Sequence, residues 1–236
     1  MHLSSWSEGS QEGHWIPLSD LMTGLMVIFL LIAVVYMMRV EADSANIRQV
    51  AIAYSEIKDA LYEDLNKEFQ RDLPRWKAQL IKSDLTIRFT EPDILFDNGS
   101  SALKPEFQSI LNDFFPRYVA ILSSPKYRNA ISEVRIEGHT SSSWDSLTSG
   151  GDAYIRNMEL SQARTRSTLG YILSLPALTD SVDWLRHYVT ANGLSSSRLI
   201  HEENGQEDAA RSRRVEFRVR TDAETRIAKI LEVSAQ

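Results

Sequence analysis

Val134-Arg135-Ile136-Glu137-Gly138-His139-Thr140 opens as a strand and closes as a turn. Val134 and Ile136 alternate with Arg135 and Glu137, and Gly138 ends the alternation. Downstream, residues 141–152 are rich in Ser and Gly and read as a polar loop. Asn157 to Leu173 then reads as a helix, with Met158, Leu160, Leu169, Ile172 and Leu173 among its apolar positions. Upstream, Leu85 to Phe89 and Ile94-Leu95-Phe96 read as strands, Asp97 to Ser101 as a turn, and Leu103 to Leu122 as a helix that tolerates Pro105 in its first turn. Ser181 to Ala191 reads as another helix, with Asn192-Gly193 in the usual stop position. Arg213 to Arg220 alternates cleanly, with Val215, Phe217 and Val219 on one face. Strands separated by helices predict one α/β domain over residues 85–220.

Composition bounds the function. Lys and Arg total 26 against 32 Asp and Glu, a net charge of −6, which argues against a nucleic-acid binder driven by phosphate attraction. The absence of cysteine removes disulfide scaffolds, thiol catalysis, zinc fingers and iron–sulfur sites together. There is no Walker loop, no His-Glu-x-x-His, no nucleophile elbow and no dinucleotide-type glycine run, so the chain does not read as an enzyme. Its five histidines, at 2, 14, 139, 187 and 201, have no metal-ligand spacing, and no metal or cofactor is expected.

The average hides an asymmetry. Leu21 to Met38 is an 18-residue run without charge. Counted from Ile16 it would make roughly 34 Å of helix, enough for a hydrocarbon core of about 30 Å. No basic start and no cleavage-like site accompany it, so residues 16–39 are predicted to be one retained transmembrane helix behind a short acidic tail, residues 1–15. Arg39 alone is too little charge to orient it. Residues 40–80 then read as a helical linker and candidate plug. Ile47, Val50, Tyr54, Ile57, Leu61 and Leu65 share a face suited either to a second helix or to a solvated amphipathic linker, and Pro74 ends the pattern. Residues 81–221 are assigned to the α/β domain and 222–236 to a last helix, opened by the capping-box spacing Thr221-Asp222-Ala223-Glu224.

Two constellations carry chemistry. Asp20 stands at the edge of the apolar run with Thr23 and Gly24 at i+3 and i+4, so one helix face offers a carboxylate, a hydroxyl and bare backbone. An ionisable group at membrane depth reads as a proton site; an Asp just before an apolar run reads equally well as an N-cap. Asn157, Leu160, Ser161 and Arg164 share a face near the start of one helix, where an amide and a guanidinium suit a ligand carboxylate. An ordinary surface ion pair would account for Arg164 alone.

Taken together, these stretches resemble a known family. Ile94-Leu95-Phe96-Asp97, Ser101-Ala102-Leu103-Lys104-Pro105, Glu137-Gly138-His139-Thr140, Asn157-x-x-Leu160-Ser161-x-x-Arg164 and Ser212-Arg213-Arg214-Val215-Glu216 resemble, in order, the OmpA-like peptidoglycan-binding domain. Trp15-x-x-x-x-Asp20-Leu21-Met22-Thr23-Gly24-Leu25-Met26 resembles the membrane segment of the flagellar stator subunit MotB. The resemblance implies an α+β sandwich of helices on a mixed sheet behind one transmembrane helix and a helical linker. It implies a stator B subunit in the bacterial inner membrane, with its N-terminus cytoplasmic and its C-terminal domain periplasmic. Such a subunit is driven by proton motive force, with Asp20 carrying the proton. Two copies would sit inside five of a MotA-like polytopic partner, anchored to peptidoglycan. The short acidic tail leans towards the B subunits of Zorya anti-phage defence, whose partner is ZorA-like. A flagellar stator or a non-conducting wall tether is the alternative. For the wall site, the resemblance implies Asn157, Leu160 and Arg164, with Arg213 as a further candidate. Where that family usually has Asp after Gly-His-Thr, to hold diaminopimelate together with the arginine, this chain has Ser141; Asp145 or Asp152 is the candidate substitute.

Overall fold

The computed structural model describes residues 15–145, 147, 148 and 150–222. Residues 1–14 of the proposed tail, with His2 and His14, and the proposed helix after residue 222 lie outside them; Trp15, the last residue of that tail, is already helical. The first helix, α1 (Trp15–Phe69), belongs to two units that divide after Val50. In the first unit, Ser19–Ala45 is long and apolar enough to cross a membrane. Its large side chains from Leu21 to Val40 are uncovered. A helix satisfies its own backbone hydrogen bonds, which is what lets such a segment stand in hydrocarbon.

The second unit begins at Ala51. Its five-stranded sheet has the order β1-β2-β5-β3-β4, formed by β1 (Ala78–Ile81), β2 (Thr86–Phe89), β3 (Ile131–His139), β4 (Val189–Gly193) and β5 (Arg214–Thr221). Only the β3–β4 pair is parallel. The sheet is therefore mixed, as expected. Register explains its two faces: Phe217 lies opposite both Ile87 and Ile136, while Glu216 lies opposite both Arg88 and Glu137. The apolar face receives α3 (Pro105–Leu122) through Phe107 and Phe114, edge-on to Phe89 at 5.8 and 5.6 Å. It also receives α4 (Gly150–Leu173), which lies close above Gly138.

The folded chain corrects four readings. The boundary drawn after residue 80 does not hold. Leu61, Leu65 and Phe69 are fully buried, Phe69 packs 5.3 Å from Phe114, and β1 lies inside the supposed linker. From Ile57 onward, the apolar face of α1 packs on its own domain, leaving no such face for a second copy. Ile94-Leu95-Phe96 is not a strand: Pro92 starts a single turn, α2 (Pro92–Leu95), and only Phe96 bridges to Leu103. The helix read as Ser181–Ala191 is α5 (Val182–Tyr188), preceded by a 3-10 turn (Pro176–Ser181). Val189-Thr190-Ala191 leaves it to pair with Val134-Arg135-Ile136 as β4. Two β-branched residues in three suit a strand against β3 better than another helical turn. In addition, α4 starts at Gly150, well ahead of the predicted Asn157.

Candidate functional site

Asp20 lies in the second turn of α1, whose helical backbone already runs from Trp15. An N-cap residue needs a non-helical backbone, so the capping explanation for Asp20 fails. Asp20, Thr23 and Gly24 are all exposed, and a Cβ built on Gly24 meets nothing within 4 Å. Thr23 Oγ1 donates to the carbonyl of Ser19 at 2.7 Å, which spends its proton on its own helix and leaves its lone pairs available beside the carboxylate.

The second constellation converges on a cavity of about 580 Å³ at the C-terminal end of β3. Ser141, Asn157, Leu160, Arg164 and Arg213 line it; Ser161, read on the same helix face, does not, its buried hydroxyl donating to Met158 O at 2.9 Å and accepting from Ser195 N at 3.1 Å. Asp145 and Asp152 do not. The Asp145 carboxylate turns back on its own loop, accepting from Leu147 N at 2.9 Å and Thr148 N at 2.6 Å. Those bonds hold it below the usual carboxylate range. Asp152 is exposed in the first turn of α4. The walls that sequence reasoning missed include Asp93 within α2, Asn98 and Gly99 after it, and Ser143 and Trp144 after β3. No short-range pattern marks them, because they reach the cavity through tertiary folding. Thr140, which also lines it, was legible as the last residue of Gly-His-Thr.

The local scaffolding is specific. Buried Asn157 donates through Nδ2 to the carbonyls of Ser141 and Ser143 at 3.1 and 3.2 Å, fixing the loop after β3. Glu207 clamps the same loop, accepting from Ser142 N at 3.0 Å and from the Ser142 hydroxyl. Arg164 donates through Nε to Ser100 O at 2.8 Å and through an Nη to Asp97 O at 3.0 Å, and its guanidinium lies 4.9 Å over the Phe96 ring. Burial, and then the like charge of Arg213, draw Arg164 down to about 10, so it remains a cation at neutral pH. Among the described residues no carboxylate pairs with it; both of its acceptors are neutral carbonyls. Two neighbouring guanidiniums, neither bound to a carboxylate among the described residues, make this wall an anion acceptor.

Behind the cavity, the polar face of the sheet holds a buried ion-pair ladder. Arg88 and Arg214 donate to Glu216 Oε1 at 2.7 and 2.6 Å; Arg218 pairs with Asp84 and lies 3.8 Å from Glu137. Candidate metal-ligand atoms of Glu137, His139 and Glu216 lie within 4.8 Å of one another. The three guanidiniums already balance Glu137, Glu216 and Asp84, so a dication there would face uncompensated positive charge. His139 is buried, and among the described residues neither ring nitrogen has a hydrogen-bond partner, although Nε2 lies 3.7 Å from Glu137 and 3.8 Å from Glu216. Burial first, aided by Arg214, holds its ring below its ordinary value even though Glu137 and Glu216 pull the other way. The unfolded chain therefore takes up this proton first. Stability is full above the unfolded histidine value of about 6.5 and falls as pH drops through it. Chemical denaturation of the chain in detergent should show stability declining from pH 7 to pH 5, and His139→Gln should flatten that decline. Glu216, held low by His139, Arg214 and Arg88 against the effect of its burial, adds its loss only at still lower pH.

No family model matches the chain. Among curated proteins, it is 44% identical over 219 residues to the Zorya protein ZorB of Escherichia coli strain Crooks, covering 93% of this chain and 92% of that one. Among solved structures, a MotB-like protein from Desulfovibrio vulgaris aligns at 22% identity over 73% of this chain and 94% of its own, with a TM-score of 0.48. The periplasmic domain of Helicobacter pylori MotB aligns at 14% identity over 66% and 88%, with a TM-score of 0.43. With an identity that high over almost the full length of both sequences, the chain belongs to the ZorB family of Zorya proteins.

Proposed function

We propose that the chain is the B subunit of a proton-driven rotary stator serving anti-phage defence. It sits in the bacterial inner membrane with its N-terminus cytoplasmic and the domain after α1 in the periplasm. The observation that carries this reading is the position of Asp20: an exposed carboxyl within the membrane-length helix, not at its cap, next to Thr23 and the open backbone of Gly24. Two copies of α1 stand inside five copies of a ZorA-like polytopic partner. Protonation neutralises Asp20 and removes the cost of facing apolar walls; release on the cytoplasmic side restores the charge. A charge crossing a potential of about 150 mV supplies roughly 3.5 kcal/mol per step, several times thermal energy. The test is proton flux into vesicles containing the assembled complex, compared with the same complex carrying Asp20→Asn.

A rotating ring needs a fixed axle, and the cavity supplies the hold. Arg164 and Arg213 take a carboxylate of the peptidoglycan stem peptide, with Asn157 keeping the loop wall in place. Arg164→Ala removes a half-buried cation from that contact, an expected loss of about 2–3 kcal/mol or roughly 30–150-fold in affinity. Co-sedimentation with purified sacculi should fall accordingly while membrane insertion is unchanged. Sedimentation equal to wild type would remove the anchoring half of the proposal.

A further inference from the structure

A second cavity, of about 350 Å³, opens at the opposite end of β3 and shares no lining residue with the first. Four cations reach it from three elements: Lys58 of α1, Arg135 of β3, and Arg218 and Arg220 of β5. The fold spends only part of their charge. Arg218 pairs with Asp84, and Glu133 divides one carboxylate between Arg135 at 2.7 Å and Arg220 at 3.6 Å. Lys58 Nζ donates to a neutral carbonyl, Ser83 O, at 2.5 Å, and forms no ion pair among the described residues. Cations converging on a concave space from several sides suit an anion with several oxygens. Two polar atoms of the same lining residues narrow its chemistry. Thr221 is only 7% exposed, and its Oγ1 has no hydrogen-bond partner among the described residues; nor has the buried Oδ1 of Asp84. Buried polar atoms almost always have partners, so two left unspent beside one cavity point to a ligand. Thr221 Oγ1 can donate to an oxygen of the anion. Asp84, a carboxylate already bonded to Arg218, can only accept, so the anion must also bring a hydroxyl.

We propose that this second cavity is an anion site for a phosphate-type group that carries a hydroxyl, either hydrogen phosphate itself or the phosphoglycerol headgroup of an anionic lipid. Lys58, Arg135 and Arg220 hold the charge, Thr221 donates to one oxygen, and Asp84 accepts from the hydroxyl. Sulfate has the shape of phosphate but no hydroxyl at neutral pH. It would set a bare oxygen against Asp84 and bind weakly. The site depends on neither the proton-carrying nor the wall-binding reading, and its occupant would join α1 to β3 and β5.

The test is phosphorus-31 magnetic resonance on the full chain in micelles of a phosphate-free detergent, at fixed ionic strength. Inorganic phosphate and short-chain phosphatidylglycerol are titrated separately, each with sulfate as competitor. Wild type should bind at least one probe with a Kd of about 1 mM or tighter, and sulfate should compete about tenfold more weakly. Lys58→Gln should weaken binding about fivefold, the scale of one partly screened charge contact. Thr221→Val, which removes a hydroxyl without changing charge or size, should weaken it by about the same factor. Without a probe, Thr221→Val should melt no lower than wild type, because the hydroxyl bonds nothing in the fold. Saturation by phosphate alone supports the site as one for the free anion, and saturation by the lipid alone supports it as one for a headgroup. No binding of either probe, sulfate competing as well as phosphate binds, or wild-type affinity in either variant overturns the proposal.

Discussion

Asp20→Asn is expected to assemble normally and conduct nothing. Asparagine keeps the size and hydrogen-bonding capacity of the side chain but cannot take up or release a proton. Asp20 is exposed on α1 with no ion pair among the described residues, so no packed contact is lost with the charge. Yield, detergent-extracted size and co-purification with a ZorA-like partner should therefore match wild type. Proton flux in vesicles should fall at least about tenfold, to the level of the partner alone, because a step worth about 3.5 kcal/mol has no carrier. Protection of cells from phage should be lost in parallel. Asp20→Glu, which keeps the carboxyl on a longer stem, should retain partial flux, separating the need for ionisation from the need for one geometry. Wild-type flux and protection in Asp20→Asn would leave the chain a wall-anchored stalk that conducts nothing.

The fold was legible where local pattern and tertiary demand agree. The alternation of Val215, Phe217 and Val219 became the central strand, and the spacing of Asn157, Leu160 and Arg164 did place them on one cavity wall. It was misread where a residue answers to a distant neighbour. The Leu61 and Leu65 stripe fits a partner helix as well as it fits its own α3; only the folded chain shows Phe69 against Phe114. Asp145 and Asp152 were reasonable substitutes for a missing carboxylate because they lie close in sequence to Ser141. Asp93 is far away in the chain, and only the folded chain brings it to the cavity. Asp20 shows the same limit in reverse: cap and interior share one sequence pattern, and the backbone of the preceding turn decides between them.

Gly193→Ala is expected to be among the most damaging conservative substitutions in the domain. In sequence this glycine reads as a helix stop, for which backbone freedom is the reason. In the structure it ends β4, and the reason is space. A Cβ there would lie 2.3 Å from Gln162 N and 2.7 Å from Gln162 Cα, both backbone atoms of α4 that cannot turn aside. Gly138 has the same role on β3, its Cβ falling 2.9 Å from Ser161 O and 2.8 Å from Thr165 Cγ2. Adjacent in the parallel β3–β4 register, the two glycines let α4 sit directly on the sheet, and that seat holds Asn157 and Arg164 at the cavity. Forcing a methyl into this contact should cost about 3 kcal/mol, the upper end of ordinary overpacking. At about 2–4 °C per kcal/mol for a domain of this size, the melting temperature should drop by roughly 6–12 °C. Gly170→Ala is the matched control: it lies within α4 with nothing near its Cβ, and should stabilise by about 0.5–1 kcal/mol. If both alanines raised the melting temperature alike, Gly193 would be a position of conformational convenience, and the close seating of α4 on the sheet would not be what holds the cavity in shape.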